Sequence, residues 1–118
     1  MVSFIRGRLR GFGFAVKGAF MLLKTEDSIQ VQAIITVLMT IAGFYFEITA
    51  IEWMLQIFAI GLVISIEGLN TAIEKMANFV HPDFDKKIGA IKDVAAGGVF
   101  FAALTAVIIG CFIYFPKL

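Results

Sequence analysis

Residues 94–115 read VAAGGVFFAALTAVIIGCFIYF and hold no charged side chain. At ~1.5 Å rise per residue a helix of this run covers roughly 33 Å, the thickness of a bilayer's hydrocarbon core. It is the clearest membrane-spanning segment of the chain, and Pro116 and Lys117 close it. A second uncharged run, SIQVQAIITVLMTIAGFYF at residues 28–46, is nearly as long. A third, WMLQIFAIGLVISI at residues 53–66, spans only if its helix continues through Glu67 into EGLNTAIEKMANFV. The expected fold is therefore an all-α integral membrane protein with three transmembrane helices at about 28–47, 52–79 and 93–115.

Composition agrees. Of 118 residues, 60% are hydrophobic and 16% charged, against about 25% charged in ordinary soluble domains. The length suits one compact unit, so residues 1–118 are read as a single membrane domain. The formal net charge of +1 gives no field that would recruit nucleic acid. The single cysteine, Cys111, lies in an apolar run, which excludes an intrachain disulfide and a thiolate metal cluster.

The first 25 residues are of another kind. Arg6, Arg8, Arg10, Lys17 and Lys24 occur there without any acid. Ile5, Leu9, Phe12, Val16, Phe20 and Leu23 recur at helical spacing, with most of the bases away from them. This pattern predicts an amphipathic surface helix over about residues 4–25 rather than a cleaved leader, since glycines and bases interrupt any long apolar core. A loose basic tail is the plainer alternative.

The remaining bases set an orientation. Lys75, Lys86, Lys87 and Lys92 lie between the second and third spans, whereas the link between the first two has Glu47 and Glu52 and no base. A cytoplasmic N-terminus and an external C-terminus follow from this bias. The link at residues 48–53 reads as a short turn after Glu47. Residues 81–93, HPDFDKKIGAIKD, read as a polar connection with Pro82 as a stop, Gly89 as a flexible point and Asp93 beginning the last helix. His81 is expected to be a surface loop residue.

The chemistry sits in the second span. Glu67, Asn70, Thr71 and Glu74 share one helical face, the two carboxylates about two turns or roughly 10 Å apart. They cannot both chelate one ion directly, so two roles are expected, Glu67 deeper and Glu74 nearer the cytoplasm. An intramembrane carboxylate is costly in lipid and marks an ion pathway, a catalytic group or a wet cleft. Interhelical hydrogen bonding alone would explain Asn70 and Thr71. Glu26, Glu74 and Asp93 are expected at one depth with Lys92 beside them, a set of oxygen ligands and a cation suited to magnesium and a polyphosphate. Lys92 could equally snorkel to headgroups. Ala95, Ala96, Gly97, Gly98, Ala102, Ala103 and Ala106 would let another backbone approach the last helix. Neither a Walker loop nor a kinase glycine loop is present, so nucleotide chemistry would need another scaffold.

The run Glu67-Gly68-Leu69-Asn70-Thr71-Ala72-Ile73-Glu74 resembles the signature E-x-hydrophobic-N-S/T-A-hydrophobic-E of the small bacterial integral-membrane lipid kinases, the diacylglycerol kinase and undecaprenol kinase family. Lys92-Asp93-Val94-Ala95-Ala96-Gly97 is a second match, and Lys17-Gly18 followed by Thr25-Glu26 a third, so the resemblance covers nearly the whole chain. It implies ATP- and magnesium-dependent phosphorylation of a membrane lipid alcohol in the bacterial cytoplasmic membrane, by a homotrimer with sites between subunits. It further implies Glu67 as the general base, Asn70 as a positioning group, Glu26 and Glu74 as metal ligands, and Lys17, Lys92 and Asp93 as nucleotide contacts. The loop Phe79-Val80-His81-Pro82 and residues 94–97 look closer to the undecaprenol branch. Asn78 stands where the family commonly has aspartate, Ala15 where serine is frequent and Gln30 where a base is common. Apart from the resemblance, an ion or proton translocator explains membrane carboxylates, and a noncatalytic assembly protein explains the small residues.

Overall fold

The computed structural model describes residues 1–118 and is wholly helical. Its helices are α1 (Val2–Thr25), α2 (Asp27–Tyr45), α3 (Ala50–Val80) and α4 (Lys86–Tyr114), with a short 3-10 turn at Phe115–Lys117. The last three are long and apolar enough to cross a membrane. Only 10 of 118 residues are buried, and large apolar side chains such as Phe44, Phe58, Phe101 and Phe112 stand exposed. In water that surface would aggregate; in lipid it is the solvated face.

Helices α3 and α4 form the main packing unit, an antiparallel hairpin. Its register is marked by Lys92 against Asn78, Gly98 facing Ile66, Tyr114 against Gln56 and Lys117 against Glu52. Helix α2 packs on α3 through Gly43, where a Cβ would come within 2.5 Å of the Trp53 ring. Only a glycine permits that approach. Phe44 flanks the same ring with centroids 5.0 Å apart. Between α2, α3 and α4 lies a mostly apolar cavity of about 270 Å³, with Gln32, Thr36 and Gln56 on its wall.

The molecule measures 49 × 47 × 24 Å. Helices packed 8–10 Å apart make a three-helix bundle only about 20 Å wide, so the second long dimension belongs to α1, which runs sideways from the bundle. The corner is Glu26, a single extended residue (φ −107°, ψ 114°) between α1 and α2. Gln30 fixes it by donating Nε2 to the carbonyls of Leu23 and Lys24, at 3.0 and 3.2 Å. Those carbonyls, at the end of α1, have no partner within their own helix. Leu22 then packs over Gly68 of α3.

Two boundaries differ from the sequence expectation. The link after Glu47 is shorter than residues 48–53, because Thr49 and Glu52 form a reciprocal capping box and α3 already starts at Ala50. Glu47 itself takes positive φ (51°) in the turn. Likewise α4 begins at Lys86, capped by the Asp85 carboxylate on the amides of Lys87 and Ile88. Asp93 and Gly89 therefore lie inside the helix, and the connection is confined to the residues between Val80 and Lys86. Packing against α3 sustains two polar turns that carry little apolar signal of their own.

Candidate functional site

The candidate residues gather where α1 turns into α2 and where α3 continues past that corner. Glu67 and Asn70 are half-buried on α3, and Thr71 beside them is buried. Glu67 Oε2 and Asn70 Oδ1 are shielded from solvent and accept no hydrogen bond. Buried oxygens without donors are few in folded proteins, since each costs about 1–3 kcal/mol. Ser28, in the first turn of α2, brings its hydroxyl beside the Glu67 carboxyl. Ser28 was not expected at the site; its signal was a small hydroxyl two residues after Glu26, at the mouth of the first span.

Glu26 is half-buried at the corner. One of its carboxylate oxygens lies 3.4 Å from the Thr25 hydroxyl and 3.5 Å from Lys75 Nζ. Glu74 precedes Lys75 and is exposed. The α3–α4 mouth holds the other cation: Lys92 Nζ donates to Asn78 Oδ1 at 2.6 Å. Because Asn78 is neutral, it orients the ammonium without cancelling its charge. Lys92 and Asp93 line a cavity of about 300 Å³ with His81, Asp83, Phe84 and Asp85. His81 belongs to the loop, with Nδ1 2.8 Å from the Asp83 carbonyl.

The expected residues thus fall into two groups, Glu26, Glu67 and Asn70 at the corner and Lys92 with Asp93 at the mouth, with Glu74 exposed on α3 next to Lys75. No hydrogen bond or ion pair joins the groups within one chain, and no three His, Cys, Asp or Glu side chains converge on a common point. Lys17 stands exposed on α1, away from both. Two carboxylates nonetheless suit magnesium, which usually takes one or two carboxylates and completes its shell with water and phosphate oxygens.

A sequence model of prokaryotic diacylglycerol kinase matches residues 13–114. The undecaprenol kinase of Bacillus subtilis (strain 168) is 37% identical over 109 residues, covering 92% of this chain and 89% of that protein. The diacylglycerol kinase of Escherichia coli (strain K12) is 25% identical over 103 residues, covering 87% of this chain and 84% of its own. The matched region takes in the corner, the α3 carboxylates and the α3–α4 mouth together. This chain is a multi-pass membrane protein of the prokaryotic diacylglycerol kinase family.

Proposed function

We propose that the chain transfers the γ-phosphoryl group of ATP to the hydroxyl of a membrane lipid alcohol, with undecaprenol the acceptor. The observation that carries this is the buried Glu67 Oε2 beside Asn70 Oδ1, two acceptors without donors at the corner of a lipid-kinase family member. A lipid alcohol is a weak nucleophile. In the proposed step Glu67 takes its proton as the alcohol oxygen bonds to the γ-phosphorus, and the bond to the bridging oxygen of ADP breaks. Asn70 orients the reacting groups.

Glu26 and Glu74 would hold magnesium. The ion, when bound, neutralises phosphate charge. Lys92, steered by Asn78, would contact phosphate oxygens, and Asp93 would orient the nucleotide in the neighbouring cavity. Lys17, exposed on α1 and apart from both groups, takes no part in this arrangement. We infer a homotrimer in the bacterial cytoplasmic membrane, with the α1–α2 corner on the cytoplasmic side and the C-terminus outside.

The reading of undecaprenol as acceptor is supported by the loop Phe79-Val80-His81-Pro82 and residues 94–97, which look closer to the undecaprenol branch. Both lipids carry a hydroxyl at headgroup level, so the Glu67 chemistry serves either. The deciding measurement is phosphate transfer from radiolabelled ATP to each lipid in the same micelles with magnesium. A larger kcat/KM for undecaprenol is expected. Higher efficiency with diacylglycerol would reverse the acceptor, and transfer to neither would return the chain to ion translocation or assembly.

A further inference from the structure

We propose that α1 is a docking surface for anionic lipid headgroups, held by a stripe of Arg6, Arg10, Lys17 and Lys24. At about 100° per residue, these four side chains fall within an arc of roughly 40° along the whole of α1. All four are exposed. The chain's two ion pairs, Lys75 with Glu26 and Lys117 with Glu52, leave every base of α1 without a carboxylate partner. Arg8 is the exception to the stripe, on the opposite side of the helix.

The other faces of α1 decide what the stripe meets. Ile5, Leu9, Phe12, Val16, Phe20 and Leu23 occupy a separate arc, roughly 100° from the bases, and face the hydrocarbon boundary. Leu22, which packs over Gly68, marks the flank turned to the bundle. With the apolar face down, the bundle lies on one side and the four bases point out on the other, at headgroup level. The occupant there must be anionic and arranged as a layer beside the protein, which is what acidic phospholipids present. The aliphatic stems of these residues reach along the apolar face while their charges stay in the headgroups.

The consequence reaches the site. Helix α1 passes into α2 through Glu26 alone, and Gln30 clamps the last carbonyls of α1. The seating of α1 on the membrane is thereby coupled to the position of Glu26. This coupling does not depend on which lipid is phosphorylated, or on whether any is.

The test is amide hydrogen exchange of residues 4–25 in the intact protein, in nanodiscs of phosphatidylcholine alone or with about one third phosphatidylglycerol. At about 50 mM salt the acidic discs should slow exchange in α1 by roughly tenfold, and the difference should shrink near 500 mM. Residues 94–114 in the same samples report that the bundle is intact. Arg6→Gln, Arg10→Gln and Lys24→Gln together should abolish the lipid dependence, and Arg8→Gln should leave it. Equal exchange in both membranes would overturn the proposal. An Arg8→Gln effect as large as that of Arg6→Gln would overturn it too, by reducing the stripe to net charge.

Discussion

The two ends of the α3–α4 hairpin treat polar side chains in opposite ways. At the end where α2 turns into α3, Tyr114 donates its hydroxyl to Gln56 Oε1, and Gln56 Nε2 donates to the Met39 carbonyl at 3.0 Å. Lys117 closes the same end on Glu52 Oε2 at 2.8 Å and on the Ile113 carbonyl at 2.9 Å. Glu52 also completes the cap of α3. At the other end, Glu67 and Asn70 each bury an oxygen that nothing satisfies. The first cluster has the form of a fastening, every group answered within the chain. The second has the form of a site, with acceptors held ready for donors that the fold does not supply. Stability and chemistry are therefore expected to respond to different halves of the molecule.

The sharpest way to break that division is Glu67→Gln. It removes the proposed base while keeping size and one acceptor, and should lower lipid phosphorylation by about 10²–10⁴-fold. Resistance to unfolding in SDS should stay near that of the unmodified protein, because the amide keeps an oxygen for the Ser28 hydroxyl and Oε2 has no partner to lose. Phosphorylation within a few-fold of normal in a properly assembled protein would remove Glu67 from the mechanism. A large loss of stability would instead put Glu67 among the fastenings.

Glu26→Gln and Glu74→Gln probe the same end more gently. Each should raise the magnesium needed for half-maximal nucleotide binding by roughly tenfold, since one of two anionic ligands becomes neutral. Glu26→Gln also weakens the ion pair with Lys75, which is long and exposed and contributes little. Unchanged magnesium dependence in both variants would oppose the assignment.

At the fastened end, Gly43→Ala should act on stability alone. The new Cβ would sit 2.5 Å from the Trp53 ring, so ring or helix must move. Overpacking of this kind costs about 1–3 kcal/mol, against a gain of about 1 kcal/mol in helix propensity. A net loss is expected in an SDS titration followed by circular dichroism, with KM for both substrates unchanged. No loss would mean that the α2–α3 contact is looser than its geometry.

How much of this was legible in the sequence differs along the same line. The spans were legible to within a few residues at most of their ends, as at Asp27 and before Pro82. The start of α4 was not, because Lys86 and Lys87 carry no apolar pattern and their helix is held by the Asp85 cap and by α3. Thr49 and Glu52 did carry a readable capping pattern, which the acidic character of that link obscured. Glu67 and Asn70 were legible because charge and amide inside an apolar helix demand a reason. Gln56 and Tyr114 were not, since their pairing spans 58 residues and depends on the hairpin register. Sequence periodicity places a residue on a face; only the fold says what faces it.

The smallest expected effect belongs to Tyr114→Phe, and it tests the comparison most directly. The substitution keeps the ring, whose edge packs on Phe46 with centroids 5.8 Å apart. It removes only the hydroxyl, leaving Gln56 Oε1 without its donor while Gln56 Nε2 keeps the Met39 carbonyl. Hydrogen bonds between membrane helices average about 0.6 kcal/mol and reach about 1.7, because the unfolded chain in the membrane also finds partners. Gln56 is buried at 4% exposure, so the upper part of that range applies. A loss of about 1 kcal/mol is expected in SDS titrations followed by the fluorescence of the single tryptophan, Trp53, which lies at this end. Transfer to lipid should be unaffected, because Glu67 lies about three turns of α3 from Gln56. A fall in kcat with unchanged stability would mean that the two ends communicate through the hairpin. The division between fastening and site would then have to be given up.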